Sequence, residues 1–388
     1  MTGIARVFVA FVILLSAGCM QKFRNVLMTP RADEAGIVKV YIDREGDLYP
    51  SEAHIEPYYF YLQHLRKKQE RVIHEKSFAT VEEALTRSDS LSIAYLHERY
   101  QLAVSDSIRF FIRLQQSIRK NLLNRIHNSF ANNHTKHLVV FIHGFNDPQP
   151  DAQYFALRRL VLAYCKEPPV FLELYWDGLT ALGDNPIIAS IWGKARLNSA
   201  KVGLGLRNLL NGVDPEARIT FITHSLGASV ATHCLFNPSQ WPSDFQEKLE
   251  AEYKSNKVKT LAHSSISLGM IAPAIDGMGT FSYMGNTVPA GSPLHLMRLA
   301  IAHNRYDYAV SKGGLFARSF GSTALGADAK DEVKKTLAII EEKSPATRCT
   351  ALSFAFADTA FTAKQKEHAV LFYQRNHAFP AFMKAIFD

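Results

Sequence analysis

A serine stands where a β-rich run gives way to small residues. Arg218 to Thr223 reads as a strand, and Leu226 to Phe236 reads as a helix. Between them lies Thr223-His224-Ser225-Leu226-Gly227. A strand–serine–helix turn of this kind is a nucleophile elbow, which holds the serine in a strained backbone conformation and lifts its hydroxyl above the sheet. Strand and helix approach closely there, so small neighbours are needed. Gly227 supplies one, while Thr223 stands where the motif has its first glycine. The helix start would aim free N–H groups at developing negative charge. The other reading of the same residues is a serine that merely caps the helix.

A second piece precedes the first in the chain. Leu138 to Ile142 is a continuous apolar run, as in a strand buried on both faces, and His143-Gly144-Phe145 follows it directly. An acyl-transfer serine needs donors for a tetrahedral oxyanion, one from the residue after it and one from the loop after an earlier strand. Leu226 and Phe145 are the natural donors through their backbone N–H groups. Gly144 lets the backbone come close, and His143 reads as a hydrogen-bonding support rather than as a base.

FIHGF (141–145) followed by ITHSLGA (222–228) resembles the α/β-hydrolase superfamily. The nearest branch is that of bacterial esterase-like proteins with an HGF strand end and an HSLG elbow. The resemblance runs from His137 to the C-terminus. It implies the chain order nucleophile, acid, histidine. Asp307, just past the penultimate strand, is then the acid, with Asp276 in Ala272-Pro273-Ala274-Ile275-Asp276 as the alternative, a residue that could instead brace the site. His368, after the last strand and at the start of the final helix, is the base in preference to His377. Asp307 would hold the tautomer of His368 and stabilise its imidazolium, and His368 would take the Ser225 proton and return it to the leaving alcohol. No cofactor is implied. His224, His233, His263, His295 and His303 show no HExxH or comparable spacing, so no metal site is expected. Gly203-Leu204-Gly205 lies in a helical stretch and lacks the context of a phosphate loop.

The elements that must position these residues alternate. Strands are expected at Ile37 to Ile42, His137 to Ile142, Val170 to Trp176, Arg218 to Thr223, Thr260 to Leu268, Leu294 to Ala302 and Thr350 to Phe356. Helices are expected at Thr80 to Phe130, Tyr154 to Cys165, Ile191 to Leu210, Leu226 to Phe236 and Lys366 to Phe387. Asp43 to Asp47 reads as a turn. This is the pattern of an α/β protein, a mostly parallel sheet with helices on both faces, preceded by an N-terminal helical extension. Ligands of such sheets bind at the carboxyl ends of the strands. Two apolar segments there, Asp177 to Ala200 and Gly277 to Pro293, are candidates for a lid or an acyl-binding wall, or are plain packed loops.

Composition bounds the rest. Of 388 residues, 47% are hydrophobic and 21% charged, enough for a core and too apolar for wholesale disorder. The net charge is +8. The basic groups Arg66-Lys67-Lys68 with Arg71, and Arg119, Lys120 and Arg125, read as solvated helix faces, and no nucleic-acid motif accompanies them. Arg6, the apolar run Val7 to Leu15 and the small residues before Cys19 describe a signal peptide over 1–18, too short to span a membrane. A cysteine after small residues resembles a bacterial lipoprotein signal, which implies cleavage before Cys19 and lipid on it. Cys165, Cys234 and Cys349 show no disulfide framework and read as small buried side chains.

The expected organisation is therefore a signal peptide (1–18), a connector and helical extension (19–130) and a hydrolase-type domain (131–388). The expected function is a serine esterase or lipase-like hydrolase in the bacterial cell envelope, lipid-anchored and facing the periplasm, with small-molecule or lipid esters as substrates. A silent scaffold of the same fold, or an acyltransferase or amidase using the same three residues, are the alternatives.

Overall fold

The computed structural model describes residues 31–50, 107–176, 178, 188–236, 261–284, 295–310, 324–354 and 368–388, apart from positions 33, 45, 146, 148–149, 262, 264 and 308. The expected signal peptide, Cys19 and much of the 19–130 extension lie outside them. No helix among the described residues is long and apolar enough to cross a membrane.

The strands are β1 (Ile37–Ile42), β2 (Leu48–Tyr49), β3 (His137–Ile142), β4 (Val170–Trp176), β5 (Arg218–His224), β6 (Ser265–Ile271), β7 (Leu296–His303) and β8 (Arg348–Ser353). They form one eight-stranded sheet in the order β2-β1-β4-β3-β5-β6-β7-β8. Only β2 is antiparallel to its neighbour. Every residue of β3 and β4 is buried. Successive side chains of a strand point to opposite faces, so both faces are covered there. The α/β class expected from the alternation is what the chain adopts.

The helices are α1 (Ser107–Asn132), α2 (Asp151–Leu162), α3 (Ile188–Leu210), α4 (Gly227–Leu235), α5 (Gly277–Phe281), α6 (Ala324–Ala327), α7 (Glu332–Lys343), α8 (Val370–Gln374) and α9 (Phe379–Phe387). In α1, Ile118, Leu122 and Ile126 recur on one buried face, and the helix packs on β1, β2 and β4. α3 packs along α4. A Cβ on Gly203 would meet Val230 O at 2.6 Å, and one on Gly205 would collide with the carbonyl of Gly46 in the β1–β2 turn. The close approach of α4 accounts for Gly203, and that of the β1–β2 turn for Gly205. The buried Arg207 guanidinium donates to the carbonyls of His233, Cys234 and Phe236, satisfying the open end of α4 at 2.5–2.9 Å.

The β1–β4 side of the sheet buries charge, and each charge there has a partner. Glu173 lies inside β4 at 1% exposure and pairs with Arg158 of α2, with Tyr175 Oη 2.8 Å from its other oxygen. Burial outweighs these partners and holds the Glu173 pKa above its usual range. Lys39 reaches Glu34 at 2.8 Å and Ala32 O at 2.5 Å. Arg31 pairs with Asp151 at 2.6 and 3.0 Å and lies 3.9 Å over the Tyr175 ring, which stacks on Tyr41.

Several boundaries differ from expectation. The strand expected at Thr260 to Leu268 forms at Ser265–Ile271, because pairing with β5 and β7 sets its register. The last strand lies two residues earlier than expected at its start, at Arg348–Ser353, and as an edge it is only half-buried. The single helix expected over Lys366 to Phe387 is two: Asn376 Oδ1 accepts from Ala378 N–H at 2.9 Å, and Pro380 opens α9. His368 therefore precedes α8 instead of starting a long helix. Of the cysteines read as buried, only Cys234 is; Cys165 and Cys349 are half-buried.

Candidate functional site

β5 ends at His224, and Ser225 follows with φ +52°, in the left-handed region that side chains rarely adopt. Neighbouring backbone holds it there. Its N–H donates to Ile271 O at 2.9 Å, and its carbonyl accepts from Ala274 N–H at 3.0 Å. The residue at the α4 cap position is Leu226, and no side chain caps that helix, so the hydroxyl of Ser225 is not spent on capping. A Cβ on Gly227 would lie 2.5 Å from Ile142 O and 2.7 Å from His143 O. Only glycine lets α4 start this close to the end of β3.

The same contact brings the loop after β3 to the serine. A Cβ on Gly144 would stand 2.8 Å from Ser225 Cβ and 3.2 Å from His224 Nδ1. His143 is wholly engaged in holding this loop. Its Nδ1–H donates to Gly144 O at 2.8 Å, its Nε2 accepts from Trp176 N–H at 3.1 Å, and its carbonyl accepts from Trp176 Nε1–H at 2.8 Å. Burial pushes its pKa down to about 3, so the ring stays neutral. Its N–H donates to Tyr154 Oη, which in turn donates to Leu174 O. Among the described residues, the N–H groups of Phe145 and Leu226 have no acceptor. Leu226 follows Ser225 in the chain, and Phe145 follows Gly144, which stands against the serine. Phe145 packs edge-on against Trp192 of α3, with centroids 5.2 Å apart, so one wall of the site is apolar.

Asp307 and His368 meet. Asp307, after β7, is fully buried; its Oδ2 accepts from His368 Nδ1 at 2.7 Å and from Tyr373 Oη at 2.7 Å, and its Oδ1 from Ala309 N–H at 2.9 Å. Burial alone would raise the Asp307 pKa. The His368 ring, these two side-chain bonds and the Ala309 N–H outweigh it and hold the carboxyl below its usual range. With Nδ1–H given to the carboxylate, His368 Nε2 is left as the acceptor. The Asp276 carboxylate is used elsewhere: it caps α5, Oδ1 accepting from Gly279 N–H at 2.9 Å. His377 is exposed. The three residues Ser225, Asp307 and His368 are thus drawn from the ends of β5, β7 and the segment after β8.

The bond between the serine and the histidine is not formed. Among the described residues neither Ser225 Oγ nor His368 Nε2 has a hydrogen-bond partner, and His368 Nε2 is buried. Ser225 itself is 5% exposed. Two participants were not anticipated from sequence. Tyr373 is a second donor to Asp307. His224 places its ring 4.7 Å from that of His368 and its Nε2 2.7 Å from the His368 carbonyl.

Of the two candidate lid segments, Phe281 and Met284 belong to the buried core, Met278 is exposed, and Ile188 to Ala200 is part of α3. Apart from Gly178 and residues 277–284, the remainder of both segments lies outside the described residues. Among the described residues no group of three or more His, Cys, Asp or Glu side chains could hold a metal ion. Compared with family models and with curated proteins, the chain finds no match.

Proposed function

We propose that this chain is a serine hydrolase of α/β-hydrolase type that cleaves carboxylic esters through an acyl intermediate on Ser225. The observation that carries the reading is the Asp307–His368 bond at 2.7 Å, set beside a serine in left-handed backbone at the end of a central strand. The order of the sheet from β4 to β8, with the serine after β5, the acid after β7 and the histidine after β8, supports the same reading.

Ser225 Oγ attacks the ester carbonyl as its proton passes to His368 Nε2. The carbonyl π electrons move onto oxygen, and the N–H groups of Leu226 and Phe145 face that charge. The Asp307 carboxylate stabilises the imidazolium and keeps its own charge. His368 then gives the proton to the departing alkoxide, which leaves as alcohol. Water repeats the sequence on the acyl-enzyme and releases the acid. The apolar Phe145–Trp192 wall suits an acyl chain. A lipid anchor on Cys19 would hold the enzyme at a membrane of the bacterial envelope, facing the periplasm; this part rests on the sequence alone.

The unformed Ser225–His368 bond favours a second reading, in which the fold is kept as a binding scaffold. Full-length protein in detergent, treated with a fluorophosphonate and mapped by mass spectrometry beside Ser225→Ala, separates the two. An adduct at Ser225, lost in the variant, is the expected result. Folded protein that takes no label would favour the scaffold.

A further inference from the structure

His224 precedes the serine in the chain, and four observations converge on its ring. Its Nε2 lies 2.7 Å from the backbone carbonyl of His368. A carbonyl only accepts, so Nε2 carries the hydrogen and Nδ1 is bare. The ring lies against that of His368, with centroids 4.7 Å apart and planes at 40°. Among the described residues Nδ1 has no partner, and it is buried beside Gly144. The side chain sits at the end of a central strand, next to Ser225. A donor buried at such a place, with one ring nitrogen left unsatisfied, is costly unless the arrangement serves something.

We infer that His224 is a positioning residue for His368: its N–H pins the backbone of the candidate base while its ring supports the base's ring. Asp307 fixes His368 from the side-chain end, through Nδ1. His224 fixes it from the main-chain end, through the carbonyl. Two anchors at opposite ends of one residue leave χ1 and χ2 little room. The free Nε2 is thereby held at the level of the Ser225 turn, because His224 and Ser225 are consecutive. Burial pushes the His224 pKa down to about 3, so the ring remains a neutral donor and does not repel the imidazolium that His368 becomes. The short reach of this clamp matters because His368 opens the segment before α8 and belongs to no helix or strand of its own.

The inference rests on the reading of His368 as the base, and its test keeps the two apart. His224→Phe preserves the ring and removes the donor; His224→Gln restores a donor without the ring. Circular dichroism and thermal melting first establish that each variant is folded. In full-length protein, the far-downfield proton resonance of the His368 Nδ1–H···Asp307 bond, assigned by its loss in His368→Gln, reports on the clamp without any reaction. That resonance is expected to broaden or vanish in His224→Phe and to return in His224→Gln. Fluorophosphonate labelling of Ser225 is expected to slow about 100-fold in His224→Phe, the effect of a catalytic group displaced by about 1 Å, and to recover in His224→Gln. An unchanged resonance in folded His224→Phe overturns the clamp, whether or not Ser225 is labelled. A labelling rate within about twofold of wild type does the same. Wild-type protein that shows the resonance and takes no label would leave the clamp standing and remove the hydrolase reading.

Discussion

Two polar regions of this molecule are built on opposite terms. Along β1 and β4, Arg31, Glu34, Lys39, Asp151, Arg158 and Glu173 form ion pairs in and around the sheet, and every one of them has a partner. At the carboxyl end of β5, His224 Nδ1 and His368 Nε2 are buried with none among the described residues, beside a serine with a left-handed backbone. Folding tolerates paired charge because each partner offsets the other's desolvation. It tolerates bare acceptors and strain only where the surrounding structure fixes them, which here means the glycines at 144 and 227 and the Asp307 bonds. The first region holds the sheet to its N-terminal segment. The second is, on the proposed reading, where a proton would be passed.

The sharpest way to break this contrast is to disable the second region without touching the first. Asp307→Asn keeps the shape and is expected to slow fluorophosphonate labelling by about 10⁴-fold with little change in melting temperature. Asp276→Asn, at the α5 cap, is expected to label within about twofold of wild type. Equal losses in the two variants would mean that the acid had been misassigned.

The reverse experiment disables the first region. Arg158→Ala leaves Glu173 buried with Lys39 as its remaining nearby cation and is expected to lower unfolding stability by about 1–3 kcal/mol in urea titrations. The fraction that remains folded should label at the wild-type rate. A loss of labelling without a loss of stability would show that the two regions are not separable.

Acid tests the burial of the neutral rings. Burial pushes His137, His143 and His224 to about 3 and His233 to about 4, against about 6.5 in an unfolded chain. Between those values the unfolded chain binds more protons. The stability these four contribute is complete above about pH 6.5 and is lost as pH falls toward 3. Each histidine contributes a slope approaching about 1.4 kcal/mol per pH unit. Urea midpoints should be flat in this respect above pH 6.5 and fall steeply below it. A midpoint unchanged between about pH 7 and pH 5 would contradict the neutral, buried state of these rings.

How far the sequence disclosed all this depended on distance along the chain. Ser225, Gly227 and the 143–145 loop are local signals: a contiguous apolar strand followed at once by the residues that matter. The strands of the centre were legible for the same reason, since β3, β4 and β5 are unbroken runs buried on both faces. Asp307 and His368 were reached through a family resemblance, because nothing near either residue announces that they will meet. The roles of His224 and Tyr373 were invisible, as each depends on a neighbour brought close only by the finished sheet. Asp276 carries a local sign of its own: an aspartate ahead of Gly277 and Gly279 is a helix cap before it is anything else. The break at 375–378 was likewise announced by Pro380. β6 began later than its apolar pattern suggested because its limits are set by β5 and β7.

The position of β1 has a consequence for how the chain is made. β1 lies between the two-residue β2 and β4, and Ile37 pairs with Phe171. A ribosome delivers β1 first and β4 long afterwards. Until β4 follows, β1 is an apolar segment with no parallel strand to join, and docking it closes a long loop, a slow kind of contact. Whatever handles the chain during synthesis meets that segment bare. The strand written first must wait for β4 before it can be set in place.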